Sequence, residues 1–193
     1  GPGAIHSSKP VLQVSDMRGL KIRGASRAIN MLLEELGAVG VGMPVPAVPE
    51  SLSKGVIEAA TLPWEVVDSL KVPELVHNHT DFTGKALYTA TFIIAMNKAR
   101  YESLPEDLKK VIDDNSGMET SVFAGTTQAS NGPPTREAAI KAGNNVVMLS
   151  AEESEKWHQA SEPVYARWAA DMDAKGYDGT ALVKDCLLYT SDA

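Results

Sequence analysis

From Leu20 the side chains alternate between apolar and basic, Leu20-Lys21-Ile22-Arg23, the period of a half-buried strand, and Gly24 ends the run. Ser26 is placed to cap a helix whose Ile29, Leu32, Leu33 and Leu36 share one face and whose natural stop is Gly37. A second short strand follows over Ala38 to Met43, then a helix from Val45 to Lys54 closed by Gly55, with Pro46 and Pro49 confined to its start. Val56 to Thr61 is a short apolar stretch, and Pro63 opens another helical segment through Leu70. By contrast, residues 1 to 19, punctuated by Gly1-Pro2-Gly3 and Lys9-Pro10, read as a loop with a short extended stretch. Alternating strands and helices predict an α/β sheet flanked by helices.

The run from Leu87 to Met96 is continuously β-branched, aromatic or small, which predicts a central strand buried on both faces. After it the chain turns helical for a long way. Ser103 and Glu106 have the spacing of a capping box, Leu108, Val111 and Ile112 line one face, and Gly117 and Gly125 weaken the interior. The polar segment Ser130-Asn131-Gly132-Pro133-Pro134 predicts a break before helix resumes over Thr135 to Ala142. Val146 to Leu149 reads as one more strand, and Ser150 with Glu153 as a second capping box. Beyond it Trp157, Ser161, Val164, Tyr165, Trp168 and Met172 form a helical stripe ending at Gly176, with both tryptophans as core anchors.

Composition changes this picture mainly by exclusion. The formal net charge of −7, with no Lys/Arg stripe, argues against a nucleic-acid surface. No apolar run is long enough to span a membrane, and the first residues lack the basic-then-apolar pattern of an export signal. A single cysteine, Cys186, excludes an internal disulfide and a cysteine-built zinc site. His77 and His79, at alternate positions, suit one face of a partly exposed strand end rather than a metal site, since no third ligand is in view.

No Gly-x-Ser-x-Gly elbow, phosphate-binding loop or His-Glu-x-x-His occurs, and Gly40-Val41-Gly42 lacks the third glycine of a dinucleotide loop. The acidic pairs Glu34-Glu35, Asp113-Asp114 and Glu152-Glu153 fall on expected solvated helix faces. What remains is Arg23, at the end of a strand and just before a capped helix. Ligands of α/β sheets bind beyond the carboxyl ends of strands, where a guanidinium can grip a carboxylate through two parallel hydrogen bonds. The alternative is a surface arginine paired with a nearby acid.

Asp16-Met17-Arg18-Gly19-Leu20-Lys21-Ile22-Arg23 resembles the Asp-Leu-Lys-Gly-Leu-Lys-Ile-Arg segment of solute-binding proteins of tripartite ATP-independent periplasmic (TRAP) transporters. Leu36-Gly37-Ala38, Met43-Pro44, Leu52 to Ala59, Met96-Asn97 and Leu104 to Leu108 resemble successive motifs of that family in the right order, over about residues 10 to 180. Glu58 and Ala59 depart from its usual aspartate and glycine.

The resemblance implies a type II periplasmic-binding-protein-like α/β lobe with a long crossover helix, one part of a two-lobe fold. It implies that Arg23 holds the carboxylate of a small organic acid, and that Val45, Leu62, Pro63, Trp64 and Glu65 line the pocket. Trp64 either stacks on a flat ligand or wedges the next helix onto the sheet. Glu65 either serves a ligand hydroxyl or cation or, the plainer reading, sits solvated in a first helical turn. The implied protein is a periplasmic receptor, not an enzyme, with no cofactor and no metal, which delivers its ligand to the membrane permease; the alternative is an α/β enzyme that acts on a small carboxylate substrate through the same arginine. In that frame residues 1–88 and 131–193 are the second lobe, and 89–130 cross towards a first lobe. The ending from Cys186 to Ala193 does not resemble the family's last helix. It is similar to translated adapter sequence, so the chain is expected to be a piece of a longer receptor.

Overall fold

The computed structural model describes residues 1–190, with side chains as far as Leu187. Six strands, β1 (Gly3–Ser7), β2 (Lys21–Gly24), β3 (Val39–Gly42), β4 (Ala59–Pro63), β5 (Asn78–Asp81) and β6 (Asn145–Met148), form one sheet in the order β3-β2-β4-β1-β5-β6. The pairs β2–β3, β2–β4 and β5–β6 are parallel, whereas β1 runs antiparallel to both of its neighbours. The residues expected to be mostly loop thus supply the strand that joins the two parallel halves. Its sequence, Gly-Ala-Ile-His-Ser, hides this because every position is buried, so no alternation marks it.

Period-2 side chains send Ile5, Ile22 and Ala59 into one core, with Leu32 and Leu33 of α1 (Arg27–Glu35), the C-cap residue Leu36 and Trp157 of α9 (Ala151–Ser161). Ala4, Ala60 and Leu62 enter a second core with Val48 and Leu52 of α2 (Val48–Ser53), Trp64 and Val67 of α3 (Trp64–Val67) and Val72 of α4 (Val72–Leu75). Local signals hold where they are chemical. Ser26 Oγ accepts from Ile29 N at 3.2 Å, Ser150 Oγ accepts from Glu153 N at 3.1 Å, and Gly37 ends α1 at φ 89°. Trp157 is fully buried, as an anchor should be, whereas Trp168 is only partly buried and Tyr165 of the same expected stripe is exposed.

Three expectations change. The run Leu87–Met96 forms no strand: Thr89 makes one bridge to Pro2, and Phe92, Ile93 and Ile94 are 66%, 85% and 90% exposed. A strand needs a free edge to pair with, and both edges of β1, beside which the run starts, are taken by β4 and β5. The helical stretch beyond it comes in segments, α5 (Lys98–Glu102), α6 (Glu106–Asp114), α7 (Met118–Ala129) and α8 (Gly132–Lys141), with a break before α7 where Gly117 takes φ 93°. Ser103 does not cap α6, because its hydroxyl donates to Arg100 O at 2.8 Å, while Asn97 caps α5.

The last two helices are α10 (Pro163–Asp173) and α11 (Gly179–Thr190). Helix α11 continues through the exposed Cys186, so part of the ending expected to be unpatterned is helical; residues 191–193 of that ending lie outside the described residues. Among the described residues no helix is long and apolar enough to cross a membrane.

Candidate functional site

Strands β2 and β3 end side by side, and both finish in glycine. At Gly24 a Cβ would lie 2.1 Å from Asn30 Oδ1 and 3.2 Å from Asn30 N, so a side chain there would displace Asn30 where the first turn of α1 closes over the strand end. The result is an open cleft of about 730 Å³ lined by Arg23, Asn30, Met43, Val45, Arg27 and Arg167, among others. Arg27 pairs with Asp171 at 2.6 Å, and Arg167 with Glu34 at 2.6 Å and Glu35 at 3.3 Å. The Glu34-Glu35 pair is therefore surface charge that ties α1 to α10.

Arg23 differs from both. It is only 3% exposed, yet no carboxylate pairs with it among the described residues. Its Nη1 donates to Thr61 O in the middle of β4 at 3.1 Å and its Nε to Met43 O just beyond β3 at 3.3 Å, two neutral acceptors. Burial lowers its pKa, opposed by the electrostatic influence of Tyr88. A guanidinium nevertheless keeps its charge in proteins. A buried cation with only carbonyl partners is incomplete, because burying a charge is costly unless a counter-charge compensates it.

The other expected residues divide. Val45, 37% exposed, lines the same cleft as Arg23. Leu62 lines neither cavity described here: its side chain is 1% exposed in the core, and its carbonyl is held by His6. Trp64 wedges α3 onto the sheet, 6% exposed, with Nε1 donating to Asp81 Oδ1 at 2.7 Å. Its edge also lines a second, largely apolar cavity of about 330 Å³ with Pro2, Phe82, Pro133, Arg136 and Met148. Glu65 lines that cavity too and is not solvated: its side chain is only 3% exposed.

Sequence reasoning missed a buried imidazole pair. His6 Nε2 lies 3.0 Å from Leu62 O and must donate to it, so His6 Nδ1 accepts from His79 Nδ1 at 2.8 Å. His79 Nε2 is then an acceptor, matched by the Asn144 amide nitrogen at 2.9 Å, which also reaches Pro73 O and Val76 O. Every member is satisfied with both rings neutral. Burial, then the neighbouring His79, hold the His6 pKa down at about 3, and burial lowers His79 as well. The indole of Trp64 sits 5.0 Å from one ring and 5.1 Å from the other. His79 is thus interior, correcting the expectation of a partly exposed strand end, and among the described residues no three His, Cys, Asp or Glu side chains cluster as a metal site. The signal for the pair was weak, since the two histidines stand 73 residues apart.

The model of bacterial extracellular solute-binding proteins, family 7, matches residues 1–171. The chain belongs to this family. It is 30% identical over 157 residues to a solute-binding protein of Albidiferax ferrireducens, covering 80% of this chain and 46% of that one. It is 45% identical, at a TM-score of 0.91, to a TRAP solute-binding protein of Rhodoferax ferrireducens solved with copurified benzoate, covering 95% of this chain and 58% of that one. A marine-metagenome TRAP solute-binding protein specific for aromatic acid ligands, solved with 3-hydroxybenzoate, is 42% identical at a TM-score of 0.90, with the same coverage of 95% and 58%. The α/β fold is that of these periplasmic binding proteins, and this family member spans about half the length of the curated relative.

Proposed function

We propose that this chain is the carboxylate-holding part of a periplasmic receptor that captures a small organic acid, an aromatic monocarboxylate first among candidates, and delivers it unchanged to a TRAP permease. The observation that carries this reading is Arg23, a buried guanidinium at a strand end with no carboxylate of its own. A ligand carboxylate supplies the missing counter-charge through charge-assisted hydrogen bonds. Because Arg27 and Arg167, the other two arginines of the cleft, are already paired, one carboxylate suits it better than two. The benzoate and hydroxybenzoate complexes of the relatives support an aromatic body.

In this reading residues 1–88 and 131–193 form the second lobe and 89–130 cross to a first lobe that packs on Phe92, Ile93 and Ile94, and hinge closure buries the ligand. Val45 is the proposed lining beside Arg23, Trp64 and Glu65 line the second, apolar cavity, and Leu62 acts through the core that supports β4. A thermal-shift screen of the full-length receptor tests the proposal: benzoate and 3-hydroxybenzoate should raise the melting temperature more than malonate does. Arg23→Lys should abolish the shift, since an ammonium cannot reproduce the two-pronged grip. A shift that survives Arg23→Lys undiminished, or a ligand recovered chemically altered, counts against it.

A further inference from the structure

A second polar group near Arg23 is left without a partner. The hydroxyl of Tyr88 is buried and makes no hydrogen bond, although its ring packs against the core. Burying a hydroxyl unbonded is unfavourable, and such groups in a native fold call for an explanation. The neighbouring Thr61 hydroxyl gives its one proton to Arg23 O at 2.9 Å, while Thr61 O receives Arg23 Nη1; the Thr61 oxygen lowers the phenol pKa from nearby but stands outside hydrogen-bond geometry with it.

The position of Tyr88 is set by backbone. Gly3 N donates to Tyr88 O at 3.0 Å, Pro2 bridges Thr89, and Gly3 itself pairs with Pro63 at the end of β4, two residues beyond Thr61. The ring lies so close over Gly3 that a Cβ there would stand 2.1 Å from it. Tyr88 is therefore locked beside the strand ends from which Arg23 reaches out, and each of the two groups feels the other electrostatically. Burial raises the phenol pKa to about 12, so it remains a donor at neutral pH.

We infer that the Tyr88 hydroxyl is a second hydrogen-bond donor to the ligand, converging with Arg23 on the same carboxylate. The inference rests on the carboxylate-receptor reading and adds a residue to it. One buried cation accounts for the charge of an acid. A cation plus a fixed hydroxyl also orients the carboxylate plane, and through it the ring of an aromatic ligand.

The test is calorimetric titration of the full-length receptor with benzoate, comparing Tyr88→Phe and Arg23→Ala with the parent. Tyr88→Phe should melt at the parent temperature or slightly above, because the hydroxyl makes no internal bond, and should weaken benzoate binding about 5- to 30-fold. Unchanged affinity in Tyr88→Phe beside lost binding in Arg23→Ala overturns the inference and leaves the receptor reading standing; the same result is expected if a buried water is what satisfies the phenol. Unchanged affinity in both variants overturns both. Should Tyr88→Phe fail to fold, 3-fluorotyrosine placed at position 88 keeps the ring and makes its hydroxyl a stronger donor. Tighter benzoate binding then supports the inference, and equal affinity overturns it.

Discussion

Two buried polar centres lie within a few residues of each other along β4, and they are opposites. The imidazole pair under Trp64 is neutral and closed, with Leu62 O, His6, His79 and Asn144 giving each donor one acceptor. The Arg23 centre is charged and open, a guanidinium on two carbonyls next to an unbonded phenol. A closed network holds a fold together and needs nothing further. An open one pays in desolvation for something the fold does not contain, and so points to a ligand. The contrast separates positions that should matter for stability from those that should matter for binding.

The largest expected effect breaks the open centre. Arg23→Ala in the full-length receptor should weaken binding of the acid by about 2 to 5 kcal/mol, the cost of removing one partner of a desolvated charged pair. Titration calorimetry checks this alongside a melting curve, which should stay cooperative because no ion pair of the fold is lost.

Next comes the closed centre. His6→Leu leaves Leu62 O and the His79 Nδ1 proton without partners and should destabilise the fold by about 2 to 4 kcal/mol in urea titration. The double change His6→Leu with His79→Leu should cost less than the sum of the single changes, because it removes both ends of the same bond. Additive costs would mean the two rings do not act together.

Acid sharpens the same comparison. His6 titrates near 3 when folded and near 6.5 when unfolded, so between those values the unfolded chain binds more protons. Stability is then fully present above about pH 6.5 and falls as the pH drops, by up to about 1.4 kcal/mol per unit down to pH 3. Urea midpoints at pH 7 and pH 5 should show the loss, and His6→Gln should flatten it. Smallest of all, deleting residues 186–193 should change stability by less than about 1 kcal/mol, since Cys186 and Leu187 are exposed; a larger loss means that the end of α11 packs as a genuine element.

The exposed run around Phe92 extends the lesson to apolar groups. Phe92-Ile93-Ile94 is as hydrophobic as any core strand, yet it is bare, while Ala4-Ile5-His6-Ser7, with a histidine and a serine, is wholly buried at the centre of the sheet. Hydrophobicity makes burial favourable, but only a partner surface and a free strand edge make it happen.

The sequence by itself determined what depends on neighbours within a few residues. The β2 strand ending at Arg23 and Gly24, the Ser26 and Ser150 caps, the stop at Gly37 and the burial of Trp157 were all legible, because caps, turns and periodicity are local chemistry. The order of family motifs also singled out Arg23 and Val45 for the cleft. Tertiary structure alone decided the rest. Gly3 to Ser7 became the central antiparallel strand, Glu65 went inside instead of into solvent, His6 met His79, and Tyr88 was brought beside Arg23. Each of these joins residues brought together by the sheet order and by the wrapping of chain around it, and no local pattern records which donor will face which acceptor across a fold.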